Sequence, residues 1–565
     1  LTQAVTYQDK PWLQHYEQAV PASIDYYEQS LSEQLEQSAA KFPKRMALSF
    51  QGYEVNYQQL LTMVNRFANC LQNLGVHKGD SVSILLPNLI PCVVAYHAAL
   101  KIGAIVVMNN PLYSDPELEH QFNDSNSKIL ITLDLLMKRM VALRSKTKIK
   151  KIIYTSIGDY LPFPKSILFP LVAKKKGLAA AVTPTKGVYK WKDLLKKFSA
   201  NFKKQPSSLN DLAMYQYTGG TTGVSKGVML SHRNLSYQTQ QLDAWFSSFA
   251  SGGNEVMLGA LPFFHVFGLS CSMNLAISAG WGNILIPKPQ PAELLEAIRK
   301  FHPTFAPLVP TMFIGMLNHP DIEKTDLTSI KGCFSGSAPL PVEVIKEFSQ
   351  KTGSTISEGF GLTESTPVTH INPMKGKCKI GSIGLPLPDT DCRIVDLETG
   401  EREIPVGAVG ELIIRGPQVM QGYLNRPEET AETLRDGWLY TGDIARMDEE
   451  GYFFIVDRKK DMVICSGFNV YPRDIDEVLF QNHSIEEACC IGIPHPTRGE
   501  QVKAFVVLKE GKKLTEKEVI DFCKDKLAVY KLPTQVEFRK ELPKSNVGKI
   551  LRKDLREQEL QAKKA

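Results

Sequence analysis

The stretch Tyr217-Thr218-Gly219-Gly220-Thr221-Thr222-Gly223-Val224-Ser225-Lys226-Gly227 constrains this chain more than any other. Gly219, Gly220 and Gly223 permit backbone angles that a Cβ forbids, and they let the main chain approach a ligand closely. Successive backbone N–H groups in such a turn make a concave anion site. Thr218, Thr221, Thr222 and Ser225 add hydroxyls, and Lys226 adds a positive charge. The loop is therefore expected to cradle phosphate. It is not the usual P-loop, which needs Gly-Lys-Ser/Thr after four spacer residues. Here Ser225 precedes Lys226, and the other candidate, Gly548-Lys549, is followed by Ile550.

The chain around this loop reads as α/β. Residues 47–50 and 53–57, separated by Gly52, pattern as a hairpin. Ser81–Leu86 reads as a buried strand ended by Pro87-Asn88, followed by a helix through Ala95–Leu100 and a strand at Ile105–Met108. Strand, helix and strand with short connections imply a parallel sheet covered by helices. A chain of 565 residues exceeds one ordinary core. Beyond residue 461 strands at 488–493, 503–508 and 535–538 surround a helix at 515–526, a compact α+β module. With 43% hydrophobic and 22% charged residues, wholesale disorder is excluded.

Between Val256 and Pro287 there is no Asp, Glu, Lys or Arg. That run is long enough to span a membrane, but Pro262, Gly268, Gly280 and Gly282 punctuate it, and His265 and Asn274 lie inside. A buried strand, loop, helix and strand is the expectation. The ten cysteines form no CxxC pair and no metal-ligand spacing, so buried thiols are expected. The opening residues Leu1-Thr2-Gln3-Ala4-Val5 carry no secretory pattern, which fits a cytoplasmic protein.

Further polar segments carry candidate chemistry. Phe334-Ser335-Gly336-Ser337-Ala338 follows an apolar strand, and the small Gly336, Ser337 and Ala338 would let a purine lie against the backbone. In Ser357-Glu358-Gly359-Phe360-Gly361-Leu362-Thr363-Glu364, the Gly359-Phe360-Gly361 turn offers an aromatic face for stacking. Thr363 offers a hydroxyl to an α-phosphate, and Glu364 a hard oxygen for Mg²⁺ bridging phosphate oxygens. A histidine among aromatics, as in Pro262-Phe263-Phe264-His265-Val266-Phe267, is usually structural. An aspartate after glycine, as in Tyr440-Thr441-Gly442-Asp443, is often only a turn former.

These segments resemble, across about the whole chain, the acyl-adenylate-forming superfamily, and within it the bacterial long-chain fatty-acid–CoA ligases. The phosphate loop at 217–227, the Gly-Phe-Gly-Leu-Thr-Glu segment at 359–364, Tyr440–Asp443 and the basic stretch at 457–462 carry the resemblance. It implies an α/β fold. Residues 1–459 would form a large AMP-binding domain of parallel α/β sheets with a β-barrel-like subdomain, and 460–565 a small mobile α+β domain. His265 becomes a wall and gate between the acyl and CoA sides. Asp443 becomes the ribose ligand, Arg458 the residue on the ribose or phosphate side, and Lys460 the hinge. Ser466 and Gly467 would line the CoA channel. Lys549 would be the lysine carried into the site for the first half-reaction. Ser337 departs from the Gly or Ala common at that position.

The implied reaction has two steps. A fatty carboxylate displaces pyrophosphate from ATP to give acyl-AMP, and CoA then takes the acyl group and releases AMP, with Mg²⁺ assisting. Such a transfer needs positioning and charge neutralisation more than covalent catalysis. Luciferase-type oxidation, an aryl or medium-chain ligase and an acyl-AMP ligase that does not use CoA share the adenylate. A non-enzymatic lipid-binding protein is the alternative from another class.

Charge is uneven along the chain. Lys138 to Lys204 holds eighteen Lys/Arg against Asp159 and Asp193, in a chain of net charge +6. Apolar Ile167–Val172 stands beside Lys174-Lys175-Lys176. An apolar wedge next to lysines suits an anionic membrane surface. Peripheral contact through 138–204, at the inner face of the cell membrane, is the expectation. Nucleic acid is not, because no recognition module accompanies the charge.

Overall fold

The computed structural model describes residues 5–173, 177–203, 207–218, 224–250, 254–338, 340–465, 468–495, 499–545 and 549–562. By contact density the chain divides into two compact units. The larger comprises residues 15–391 and 415–439; the smaller comprises 1–14, 392–414 and 440–565.

Two sheets build the larger unit. The first has eight strands and is parallel from Val188–Lys190 through Lys151–Thr155, Ile129–Leu133, Ser81–Leu85 and Ile105–Met108 to Leu212–Thr218. Ser81–Leu85 and Ile105–Met108 are buried at every position, as strands covered on both faces must be. The helix between them, Ile90–Lys101, buries every residue except Lys101. An apolar surface all round suits a helix enclosed by its neighbours.

The direction of the sheet reverses at the glycine-rich loop. Lys226–Ser231 returns antiparallel to Leu212–Thr218, with Thr218 opposite Lys226. Gly422–Tyr423 then adds the outermost strand, antiparallel to Lys226–Ser231.

The second sheet has nine strands. Its parallel centre runs Met46–Phe50, Gly282–Leu285, Val256–Gly259, Phe305–Leu308, Gly332–Ser335 and Ile356–Gly361. The expected hairpin closes one edge, with Tyr53–Asn56 antiparallel to Met46–Phe50. Val368–Ile371 and Leu385–Pro386 close the other. The uncharged run is the expected buried strand, loop, helix and strand: Val256–Gly259, a helical stretch from Val266 to Ser278 and Gly282–Leu285. The middle of that helical stretch, Leu269–Asn274, is π-helical and wholly buried. Among the described residues no helix is long and apolar enough to cross a membrane.

In the smaller unit Gly499–Leu508 lies antiparallel to Ile485–His495 and parallel to Gln535–Arg539. The helix Glu516–Lys524 has Thr515 as its cap and Glu518 returning the bond. This is the expected α+β module. The strand Phe453–Arg458 pairs antiparallel with Trp438–Met447, and Trp12 packs edge-on against Phe453. Nine of the ten cysteines are buried. The boundary expected at 460 is that of a hinge, which contact density does not define.

Candidate functional site

In the larger unit the phosphate-loop hairpin is fixed at both of its described ends. His120 Nε2 lies 2.9 Å from the Ser225 carbonyl, and Gln121 Nε2 donates to Ser225 Oγ at 3.3 Å. Tyr217 donates its hydroxyl to Asp124 Oδ2 at 2.8 Å. All three partners come from one helix, Asp115–Asp124. Gly219, Gly220, Thr221, Thr222 and Gly223 lie outside the described residues.

Lys226 opens the return strand. Its ammonium lies 3.6 Å from Glu429 Oε2 and 5.1 Å from the centroid of the Tyr423 ring. Tyr423 in turn donates its hydroxyl to Glu364 Oε1 at 2.7 Å. The lysine of the phosphate loop and the carboxylate expected to hold Mg²⁺ are therefore joined through one tyrosine. Burial, then the Glu364 charge, drives the Tyr423 phenol well above its ordinary range, so it remains a donor.

Glu364 stands in the 3₁₀ turn Thr363–Ser365, which follows the strand Ile356–Gly361. The glycines there are required by close approach. A Cβ on Gly361 would lie 1.9 Å from the Pro367 carbonyl oxygen, and one on Gly359 would lie 2.3 Å from the Phe334 ring. Gly336 leaves room for the Phe267 ring, 3.1 Å from where its Cβ would be. Register places Ser335 beside Glu358, so the Gly336–Ala338 and Gly359–Gly361 segments are neighbours. Phe360 meets His370 edge-on. Ser337 has φ +72, a left-handed conformation that glycine adopts freely. The departure from glycine noted in the sequence thus falls on a position whose backbone favours it.

His265 caps the helical stretch of the uncharged segment and accepts the Phe267 N–H at Nδ1. Asn88 fixes that segment from the first sheet. It donates to the Gly259 and Leu261 carbonyls at 2.9 and 2.8 Å and accepts the Phe263 N–H. His265 is half-buried among residues of this wall.

The smaller unit holds a second constellation. Strand register sets Asp443 opposite Arg458, and Arg458 Nε lies 3.0 Å from Asp443 Oδ1. The other oxygen, Asp443 Oδ2, is buried and meets no hydrogen-bond partner among the described residues. A buried carboxylate oxygen without a donor is unfavourable unless a ligand supplies one. Gly442, at φ +69, donates its N–H to Glu411 Oε1, and Glu411 Oε2 holds Lys459 at 2.8 Å.

Lys549 belongs to the same constellation. Its ammonium pKa is lowered to about 8, chiefly by the Arg458 charge, then by desolvation, with Asp443 opposing. Its side chain remains reachable by solvent. Burial and the Arg458 charge also lower the Lys460 pKa. The loop carrying Lys549 is tied at its base, where Leu551 N–H donates to the Pro543 carbonyl at 2.8 Å. The helix that follows is anchored by Arg556 Nη1 on Asp461 Oδ1 at 2.8 Å, with Arg552 paired to Asp476. Ser466 and Gly467 lie outside the described residues.

Among the described residues no group of three or more His, Cys, Asp or Glu could cage a metal ion. Mg²⁺ needs no such cage, since it is commonly held by one or two carboxylates, substrate phosphates and water. Glu364 fits that role, with one oxygen fixed by Tyr423.

Tyr423 and Glu429 were not legible as site residues, because nothing local in Gln421-Gly422-Tyr423-Leu424 marks chemistry. The helix at 115–124 carries a local mark of its own, Ser114 capping with Glu117 three residues on and Pro116 in the first turn, but nothing in it points to the phosphate loop. Asn109 reaches this helix through Gln121.

The chain belongs to the AMP-binding enzyme family: residues 35–424 match that family and residues 474–549 match the AMP-binding enzyme C-terminal domain. Among its relatives, a long-chain-fatty-acid–CoA ligase of Bacillus subtilis (strain 168) is 46% identical over 97% of this chain and 98% of its own length. A ligase of the same description from Escherichia coli O6:H1 is 40% identical over 97% and 98%. Among solved structures, the anthranilate CoA ligase AuaEII in complex with anthranoyl-AMP superposes with a TM-score of 0.85. It is 25% identical, over 96% of this chain and 100% of that one.

Proposed function

We propose that this chain is a long-chain fatty-acid–CoA ligase. A fatty carboxylate oxygen attacks the α-phosphorus of ATP, a P–O bond forms, and pyrophosphate leaves with the electron pair of the broken bond. The CoA sulfur then attacks the acyl carbonyl, its proton is released, and AMP leaves. A carboxylate is a poor electrophile because its negative charge repels a nucleophile and its resonance deactivates the carbonyl carbon; adenylation removes that charge and supplies AMP as a good leaving group. Identity of 46% over nearly the full length to a long-chain ligase, against 34% over 90% of the chain to a probable 4-coumarate–CoA ligase of Dictyostelium discoideum, favours the fatty acid.

The observation that carries this reading is Asp443, with one oxygen on Arg458 and the other buried and open. That geometry suits a ribose hydroxyl as donor. Lys549, held beside Arg458, suits the α-phosphate and the departing pyrophosphate. Phe360 is assigned to the adenine face and Thr363 to the α-phosphate. Thr218, Lys226 and the glycine loop are assigned to the β- and γ-phosphates, and His265 to the wall between the acyl and thiol sides. When bound on Glu364, Mg²⁺ supplies charge neutralisation at the phosphate oxygens.

Pyrophosphate release tests the reading directly. Acids from C4 to C18 and aryl acids are supplied in turn with ATP, magnesium and CoA. The longer fatty acids are expected to be preferred. Preference for an aryl acid would move the enzyme to that class, and acid-independent or absent release would overturn the ligase reading.

Residues 460–565 are proposed as the mobile domain, pivoting at Lys460. One pose would deliver Lys549, and the other would bring the 466–472 loop to the pantetheine arm. Lys460→Pro should uncouple the two half-reactions; if both stay intact in that variant, the pivot lies elsewhere.

Peripheral membrane contact is proposed for 138–204. On the helix Lys165–Ala173, Ile167 is 64% and Leu168 53% exposed, and Phe163 just before it is 80% exposed. Three apolar side chains in water beside a basic stretch suit insertion among anionic headgroups. Such a protein would be cytoplasmic and peripheral on the inner face of the membrane. Vesicles containing phosphatidylserine should sediment the protein at low salt, and Phe163→Ser with Ile167→Ser should abolish this. Sedimentation unchanged in the double variant would refute it.

A further inference from the structure

We infer that Tyr423 is a positioning residue that presents Glu364 to the metal–nucleotide complex. The inference rests on the ligase reading and on Glu364 as the carboxylate facing Mg²⁺. It begins with how the segment around Tyr423 is built. Gly422–Tyr423 adds a short strand to the outer side of the phosphate-loop hairpin, with Tyr423 opposite Val228. Leu424 N–H donates to the Gly227 carbonyl at 2.8 Å, and Tyr423 N–H donates to Thr430 Oγ1 at 2.9 Å. The backbone that carries Tyr423 is thereby fixed to the strand that Lys226 begins.

The same segment holds Glu364 at two points. Met420 N–H donates to the Glu364 carbonyl at 2.8 Å, and the Tyr423 hydroxyl donates to Glu364 Oε1 at 2.7 Å. The first bond fixes the main chain of the turn, and the second fixes the carboxylate plane. With Oε1 occupied by a buried phenol, Oε2 is the oxygen left to a hard cation. A hydrogen bond to a charged acceptor is stronger than one between neutral groups. A carboxylate that need not reorient meets its ligand at less entropic loss.

Tyr423 also places Lys226. The ammonium lies 5.1 Å from the ring centroid and 3.6 Å from Glu429 Oε2. Contact with a ring face attracts a cation but leaves its N–H donors available. One side chain thus sets the spacing between a positive group on the phosphate loop and a negative group on the metal turn. Charge balance around a triphosphate depends on that spacing.

The experiment separates positioning from packing. Tyr423→Phe keeps the ring and removes only the hydroxyl, so Lys226 retains its aromatic contact. ATP binding to the full-length protein is measured by calorimetry, once in excess magnesium and once in EDTA. The expected result is a Kd for ATP about tenfold weaker in magnesium, the size of one lost bond to a charged group, with the EDTA value unchanged. Glu364→Gln should weaken magnesium-dependent binding at least as much, and adding Tyr423→Phe to it should weaken binding no further.

An unchanged Kd in magnesium for Tyr423→Phe, while Glu364→Gln weakens it, would overturn this inference alone. An equal loss in magnesium and in EDTA would overturn it too, in favour of a packing role. If Glu364→Gln left the magnesium dependence intact, the metal role of Glu364 and this inference would fall together. Absence of ATP binding by the parent protein would instead overturn the ligase reading.

Discussion

Arg458 Nε lies 3.0 Å from Asp443 Oδ1, and the register of two adjacent strands sets the residues opposite each other. The pair leaves Asp443 Oδ2 without a protein donor among the described residues. Asp443→Asn keeps the shape and removes the charge. The Arg458 side chain is about one-third exposed, so solvent screens the pair, and the loss of stability should stay below about 1 kcal/mol. Nucleotide recognition should suffer more. The KM for ATP is expected to rise at least about tenfold, as for a lost bond to a charged group. The parent's preference for ATP over 2′-deoxy-ATP should shrink. Steady-state kinetics with both nucleotides measures this, and an unchanged preference would remove Asp443 from the ribose.

Lys549 gives a signed pH dependence. Its pKa is lowered to about 8, so in the free enzyme its ammonium is present below that pH and lost above it. If the ammonium attracts the triphosphate, kcat/KM for ATP in the adenylation half-reaction should fall as pH rises through about 8. Bound ATP adds negative charge, which favours the ammonium, so the corresponding limb for kcat should lie at higher pH. Lys549→Ala should remove the limb and slow adenylation by about 10³-fold, while thioester formation from preformed acyl-AMP is spared. Equal loss in both half-reactions would contradict the assignment.

Gly361 tests the tight turn before Glu364. An added methyl would lie 1.9 Å from the Pro367 carbonyl oxygen and 2.6 Å from its carbon, both backbone atoms that cannot rotate away. Gly361→Ala is therefore expected to destabilise by about 1–3 kcal/mol and to weaken magnesium-dependent ATP binding by displacing the turn. Thermal unfolding and calorimetry check both effects. A variant with the parent's midpoint would mean that the backbone there yields to a methyl group.

His97 predicts acid sensitivity. It is fully buried in the helix Ile90–Lys101, and neither ring nitrogen meets a partner among the described residues. Burial first, then the Lys101 charge, pushes its pKa down to about 3. The folded protein thus resists a proton that the unfolded chain accepts below about pH 6.5. Stability should fall as pH drops from about 6.5 toward 3. At pH 5 this one residue accounts for about 2 kcal/mol of the loss. His97→Leu should reduce the difference in denaturant stability between pH 7 and pH 5 by about that amount.

Local pattern revealed much of this fold and less of the site. Ser81–Leu85, Ile105–Met108 and the hairpin at 46–56 were readable because burial on both faces, or a glycine between two β-rich runs, leaves a mark within a few residues. The uncharged run was readable as buried because prolines and glycines interrupt it. The clustering of Asp443, Arg458 and Lys549 was expected from resemblance, and strand register accounts for its first half. Tyr423 was not readable, since its meaning arises from Glu364, 59 residues earlier. The same holds for residues 5–14, which pack with the smaller unit through Trp12 and Phe453, far apart in the chain.

The glycine-rich loop joins two antiparallel strands, Leu212–Thr218 and Lys226–Ser231, and the helix His232–Trp245 begins only after the second of them. Nucleotide folds that pass from strand through loop directly into a helix aim that helix's fixed polarity at phosphate. A hairpin brings no helix terminus to that place. Beyond the backbone N–H groups of the loop, attraction for a polyanion there would depend on detachable charge, carried by lysines on flexible stems and by a dissociable ion. A grip assembled from such parts loosens once any one of them departs, which gives an enzyme that must expel pyrophosphate and then AMP a simple means of letting go.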